Sequence, residues 1–199
     1  MRAARLTLIC HAATSATRSA AFPLDEPIER IGAAKARALA GALRRPDRAW
    51  TSPAARAAQT AQALGLDATP DAALRDCDYG HWAGCRLDAL EADEPEAVAR
   101  WLSDPAAAPH GGESIVDLVR RIGAWLDARS REPGHTIAVT HAAIIRAALV
   151  HALQADLRSF WRIDIAPLAR VTLSGGAGLW RVQGIEAAGG RRSATERGG

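Results

Sequence analysis

The chain reads as an α/β protein of three layers, α/β/α, built on a mainly parallel central sheet with an antiparallel edge. Two short apolar runs predict the parallel part: residues 6–10 lead into His11 and residues 136–140 lead into His141, each with a helix-like stretch directly behind it. Runs of β-formers flanked in this way read as strands buried on both faces, with their carboxyl ends along one edge of a sheet. Ligands of open α/β sheets bind at that edge, so both imidazoles are expected in one crevice despite their separation in sequence. A third observation predicts the antiparallel edge: residues 169–174 and 179–182 read as two strands joined by a glycine-rich turn.

Between these landmarks the elements follow in order. Residues 12–27 carry Thr, Ser and two prolines with little apolar periodicity, and read as a loop over the crevice, where loops tend to carry function. Over residues 28–43, Ile31, Ala34, Ala38, Leu39, Ala42 and Leu43 recur at helical spacing, with Glu29 placed to complement the helix dipole. Residues 48–51 read as a short strand, and Ser52-Pro53 then opens a helix running through Leu64, with Ser52 as N-cap and Pro53 at the first helical position. Residues 74–85 are irregular around Gly80, Trp82 and Gly84, and residues 87–102 read as one or two helices broken near Pro95. Gly111-Gly112-Glu113-Ser114 precedes a helix over 115–129 whose apolar face is Ile115, Leu118, Val119, Ile122, Trp125 and Leu126; the glycine pair permits close backbone approach at its entry. A further helix over 142–153 follows His141. Residues 1–186 are expected to form a single domain, and the Gly, Arg and Ser of residues 187–199 a disordered tail.

Composition narrows the function. With 199 residues and 48% hydrophobic content the chain can bury one substantial core. No apolar stretch approaches the ~20 residues that span a bilayer, and the first five residues lead straight into a strand, so no membrane association and a cytoplasmic location are expected. Cys10, Cys77 and Cys85 are an odd number with no CxxC pair, which predicts neither a disulfide framework nor a zinc module. The pI of about 9.1 goes with a formal charge of only +3, and the arginines are spread over helical faces, so nucleic acid is not an expected partner. Nothing in the pattern states an oligomeric state.

Five blocks then occur in order: Leu6-Thr7-Leu8-Ile9-Cys10-His11; residues 51–61, beginning Thr51-Ser52-Pro53-Ala54-Ala55-Arg56; residues 74–84, beginning Leu74-Arg75-Asp76; Gly111-Gly112-Glu113-Ser114; and Val139-Thr140-His141-Ala142. Together they resemble the histidine phosphatase superfamily, also called phosphoglycerate mutase-like. Ile144-Ile145-Arg146 after the last block, Asp104-Pro105 before the glycine pair and Phe160-Trp161-Arg162-Ile163 look most like the α-ribazole phosphatase and broad-specificity phosphatase branch. The resemblance implies a phosphomonoesterase acting on a small-molecule phosphate ester, such as an α-ribazole 5′-phosphate-like compound, with no cofactor and no metal.

It also implies roles. His11 is the nucleophile that forms a phosphohistidine. Arg56 grips the transferred phosphoryl group through a planar fork matched to phosphate oxygens. His141 is a second donor to those oxygens. Asp76 stands where the family usually carries glutamate, as the acid that protonates the leaving alkoxide and then the base that activates water, with Asp78 as the alternative acid. Cys10, Ala12, Thr17 and Ala142 join Arg56 as residues lining the substrate pocket. His81 and His110 are expected to be solvated loop histidines, and the tryptophans core or pocket wall.

The family's first block normally reads Arg-His-Gly, and here it reads Cys10-His11-Ala12. One charge-assisted phosphate contact is thereby lost, a change of ~100-fold in rate. Ala12 adds a methyl where backbone approaches phosphate, and Ala13 and Thr17 replace an acidic residue and an asparagine. Arg18 is near enough in sequence to reach in as a replacement charge. Three readings compete: a phosphatase of reduced or altered activity, a repurposed ligand-binding or differently reacting protein on the same fold, and a redox use of Cys10.

Overall fold

A computed structural model describes residues 3–176 and 178–188; most of the expected disordered tail, residues 189–199, lies outside the described residues. Six strands form one sheet in the order β3-β2-β4-β1-β5-β6. β1 (Ala4–Cys10) and β4 (Gly134–Thr140) lie side by side and parallel, with Cys10 opposite Thr140. β2 (Arg48–Thr51) adds parallel to β4, and β3 (Thr69–Pro70) parallel to β2. β5 (Arg170–Gly176) and β6 (Leu179–Glu186) supply the antiparallel edge on the other side of β1. The expected fold class therefore holds, and β3 is the strand that sequence periodicity misses, being only two exposed residues long.

The in-register pairing of β1 with β4 matters most for the site. His11 and His141 each follow the last residue of their strand, so matched registers deliver the two rings to one point on the sheet edge. The backbone N–H of His11 donates to the Thr140 carbonyl at 2.8 Å, extending the ladder one step into the site.

Alternation along β1 builds two core layers from one strand. Leu6, Leu8 and Cys10 pack into the core formed with α6 (Ile115–Arg129) and α7 (Ala142–Leu153), while Ile9 packs on the opposite face with Ala57, Ala61, Ile137 and Val139. α6 and α7 begin and end where sequence patterning puts them, because Ser114 caps the Asp117 N–H and Gln154 closes α7 in the left-handed conformation.

The second layer carries α2 (Arg30–Ala40) and α3 (Ala55–Ala63), and here the structure corrects the sequence. α2 buries Gly32 and Ala36, whereas Ile31 is 65% exposed and Ala34 and Ala38 face solvent. The deciding factor is close approach: a Cβ at Gly32 would stand 3.0 Å from the Ala13 carbonyl oxygen, so the helix lays its small residues on the loop after β1. That loop is not wholly irregular either. It contains α1 (Ser15–Arg18), started by a reciprocal capping box between Thr14 and Thr17. α4 (Leu87–Asp93) and α5 (Pro95–Ser103) complete the helices, with Pro95 at the first turn of α5.

Candidate active site

His11 is 6% exposed, Arg56 3% and His141 not at all, so the three predicted groups form a buried cluster at the carboxyl ends of β1 and β4. The His11 and His141 ring centroids are 5.3 Å apart. Nδ1 of His11 lies 2.8 Å from the Ala12 carbonyl oxygen. A carbonyl only accepts, so Nδ1 carries the proton and Nε2 keeps its lone pair. Burial holds the His11 pKa below its ordinary value, which keeps the ring neutral and Nε2 available.

Arg56 comes from the first turn of α3, and each of its three side-chain nitrogens donates to a protein group. Nε donates to Nδ1 of His141 at 3.2 Å, Nη2 to Oδ2 of Asp76 at 2.8 Å, and Nη1 to the Leu24 carbonyl at 2.6 Å. Sequence periodicity starts α3 at Pro53, but the helix begins at Ala55, and Ser52 is not its N-cap. The Ser52 hydroxyl is drawn instead to Nε2 of His141, 2.8 Å away, and the Ala55 N–H is taken by Asp25 at 2.7 Å. A buried histidine needs that partner more than a helix end with an alternative acceptor does.

His141 is pushed down to about 3 by burial, with Arg56 and His11 acting in the same direction and Asp76 against them. It is therefore neutral, and its Nδ1, 3.2 Å from both Arg56 Nε and Asp76 Oδ2, can turn a lone pair to the guanidinium or a proton to the carboxylate. The Ser52 hydroxyl both donates and accepts, so it matches either tautomer at Nε2. Burial raises the Asp76 carboxyl, but the Arg56 guanidinium, which donates to it at 2.8 Å, outweighs that and holds it below the ordinary carboxylate range. Asp76 also accepts from the Cys77 N–H at 3.0 Å. Asp78, the alternative acid, is exposed and its carboxylate accepts from the Gly80 N–H, so it is not brought into the cluster.

Cys10, Ala12 and Ala142 stand beside these groups, though not in the manner expected. The Cys10 side chain turns into the core on the α6–α7 side, with the Ala142 N–H hydrogen-bonded to its sulfur; burial pushes the thiol up to about 12 and keeps it protonated, which argues against the redox reading. The Ala12 methyl packs toward α2 in the opposite core, and its N–H is taken by Thr60 at 3.0 Å, so the methyl does not fill the phosphate pocket. Thr17 is exposed, its hydroxyl donating to the Thr14 carbonyl in the α1 cap at 2.8 Å, and is not brought to the site. Arg18 does not supply the missing charge: its side chain is 73% exposed and paired with Glu29 at 2.9 Å.

Other residues matter that sequence reasoning missed or read differently. Arg121 on α6 pairs with Glu113 through two contacts of 2.8 and 2.6 Å and donates to the Ala73, Arg75 and Asp76 carbonyls, which holds the backbone that presents Asp76. The glutamate of Gly111-Gly112-Glu113-Ser114 is thus a clamp for that segment. Gly112 is indispensable in the same clamp, since a Cβ there would stand 2.1 Å from the Asp78 carbonyl oxygen. His110 is not solvated: it is 1% exposed against Tyr79, Trp82 and Trp101, while His81 does lie at the surface. Among the described residues no group of three or more His, Cys, Asp or Glu side chains is disposed to hold a metal ion, and no helix is long and apolar enough to cross a membrane.

Residues 6–187 match the histidine phosphatase superfamily, branch 1. The chain belongs to that family. Among this phosphatase-family chain's curated relatives is glucosyl-3-phosphoglycerate phosphatase of Mycobacterium tuberculosis, 36% identical over 129 residues that cover 61% of this chain and 58% of the relative. The chain thus matches less than two thirds of that relative's length. Among solved structures, mycobacterial glucosyl-3-phosphoglycerate phosphatase in complex with VO3 superposes with a TM-score of 0.80 at 28% identity, covering 90% of this chain and 96% of that one. A protein described as mycobacterial hydrolase 1 superposes with a TM-score of 0.82 at 28% identity, covering 94% and 100%. These relatives of the histidine phosphatase chain are named phosphatases or hydrolases.

Proposed function

We propose that the protein is a metal-independent phosphomonoesterase that hydrolyses a small phosphate ester through a phosphohistidine at His11. The observation that carries this is the neutral His11 ring with its proton fixed on Nδ1, set beside Arg56, His141 and Asp76. In the first step Nε2 attacks phosphorus in line, the ester P–O bond breaks, and Asp76 gives the departing alkoxide a proton. Asp76 is ionised in the resting site; a phosphate dianion entering beside it raises its proton affinity, so it takes up a proton from solvent as the ester binds and it is this proton that goes to the alkoxide. In the second step Asp76 takes a proton from water, hydroxide attacks phosphorus, and the P–N bond breaks to free His11 and inorganic phosphate. Arg56 and His141 hold the phosphoryl oxygens throughout, Arg56 through the Nη1 and Nη2 protons that its contacts with Leu24 and Asp76 do not use.

Substrates suggested by family likeness are α-ribazole 5′-phosphate and, from the relatives' names, glucosyl-3-phosphoglycerate. A cytoplasmic location belongs to the same proposal, supported by the free thiols of Cys10, Cys77 and Cys85. Metal-free hydrolysis of p-nitrophenyl phosphate and these two esters tests it. Turnover by the wild type that disappears in His11→Ala, with an acid-labile phosphoprotein trapped on rapid quench, is the expected result; turnover unchanged in His11→Ala overturns it. One observation favours a second reading, a ligand-binding protein on the same fold: position 10 carries no charge, and each of the three Arg56 nitrogens already donates to a protein group. Absence of turnover with every ester would favour that reading.

A further inference from the structure

The pocket lacks a guanidinium at position 10, and Arg18 does not replace it. α7 offers another. Among residues 141–150 only Ala142 and Arg146 are not fully buried, and they lie one turn apart on a single helix face. Helical side chains lean toward the N-terminus, so Arg146 leans back over Ala142, whose N–H meets the Cys10 sulfur at the floor of the site.

The contacts of Arg146 leave it free for a ligand. Its Nε is buried without a hydrogen-bond partner, which is costly for a charged donor. Its Nη2 stands 3.9 Å from Asp164, a side chain 98% exposed, and a pair of that length at the surface is weak. Its guanidinium carbon lies 5.8 Å from the centre of the Phe160 ring, which steadies the group in one orientation. The charge also reaches inward, since Arg146 is among the cations acting on both the Cys10 thiol and the Tyr79 hydroxyl.

Accepting the phosphatase function above, we infer that Arg146 is a phosphoryl-binding residue, supplying from α7 the guanidinium that β1 does not provide at Cys10. An oxyanion bound between His11 and α7 would take the unpaired Nε donor, so the strand-end arginine of the family and Arg146 are alternative sources of one charge. Reciprocal replacement follows from this: an arginine restored at position 10 substitutes for Arg146.

The test is calorimetric binding of inorganic phosphate, which does not depend on turnover, run with kcat/KM for p-nitrophenyl phosphate on the same proteins. Arg146→Gln is expected to weaken phosphate at least ~10-fold and to lower kcat/KM ~100-fold, the scale for removing one charged donor from a transition state. Cys10→Arg in the Arg146→Gln background is expected to recover most of both. Because position 10 is buried, Arg146→Lys provides a second route: it keeps the charge, and phosphate affinity is expected within ~10-fold of wild type. Wild-type phosphate affinity in Arg146→Gln overturns the inference. So does a loss that is neither avoided in Arg146→Lys nor mitigated by Cys10→Arg, since that marks a packing role. The phosphatase function fails separately, when ester turnover is insensitive to His11→Ala while phosphate binding still depends on Arg146.

Discussion

Asp76 shows how much one side chain's surroundings decide. Held between Arg56 and His141, it is ionised at rest, and under the proposed function it acts as an acid only once a phosphate dianion is bound beside it. The leaving group therefore controls how much Asp76 matters. Asp76→Asn is expected to lower kcat by about 100- to 10,000-fold for an alkyl phosphate, the usual range for losing general acid catalysis, and far less for p-nitrophenyl phosphate, whose leaving group needs little protonation. Equal losses for both esters would show that Asp76 serves only to orient Arg56.

The neutral histidines give the molecule an acid limit. The ordinary histidine value of 6.5 applies to the unfolded chain, while buried His141 is lowered to about 3, so protons bind the unfolded state first as pH falls between those values. Stability is thus lost across that window, by up to about 1.4 kcal/mol per pH unit from this residue. Asp76, held low in the fold, acts in the same direction as pH drops through its own range. The expected outcome is a thermal midpoint that declines steadily from pH 7 toward pH 4, with a shallower decline in His141→Gln.

At the scale of elements, Asp76 lies just beyond a single 3-10 turn (Ala72–Leu74), and α6 holds that stretch of backbone in place through Arg121. Glu113 and Arg121 are only 10% and 13% exposed, so removing one partner leaves a desolvated charge. Arg121→Met is expected to cost about 3–5 kcal/mol in urea unfolding, and Glu113→Gln on top of it to return part of that loss. A double variant no more stable than Arg121→Met would assign the cost to the three carbonyl contacts alone.

Most elements are legible in the sequence because their signals are local. Ser114 caps α6, Pro95 starts α5, and the strand-to-histidine-to-helix punctuation marks both ends of the site. α2 and α3 depart from their patterns for non-local reasons. The apolar stripe of α2 predicts Ile31 inside, yet Gly32 and Ala36 are buried because the loop after β1 approaches too closely for larger side chains. The Ser52-Pro53 signal promises a helix cap, yet its hydroxyl is claimed by a histidine 89 residues away.

Across the whole molecule, β1 is the shared support of both core layers and of the catalytic edge. Leu8 is fully buried between β1 and the α6–α7 layer, and Leu8→Ala is expected to destabilise by about 2–5 kcal/mol in urea unfolding. If the site is as rigidly coupled to the strand end as the Thr140 and Ala12 contacts of His11 indicate, kcat falls with it even at temperatures where the variant remains folded.

The sequence by itself determined the α/β class, the two strand-end histidines, the arginine on the helix after β2 and the carboxylate between them, because strand alternation, helix periodicity and turn chemistry act over a few residues. Only the tertiary structure decided how those groups are used. It turned the Ala12 methyl away from the pocket, sent Arg18 and Thr17 to the surface, joined Ser52 to His141 and left the buried Nε of Arg146 without a hydrogen-bond partner. Such choices come from competition among buried donors and acceptors contributed by different elements, each of which must find a partner once water is excluded.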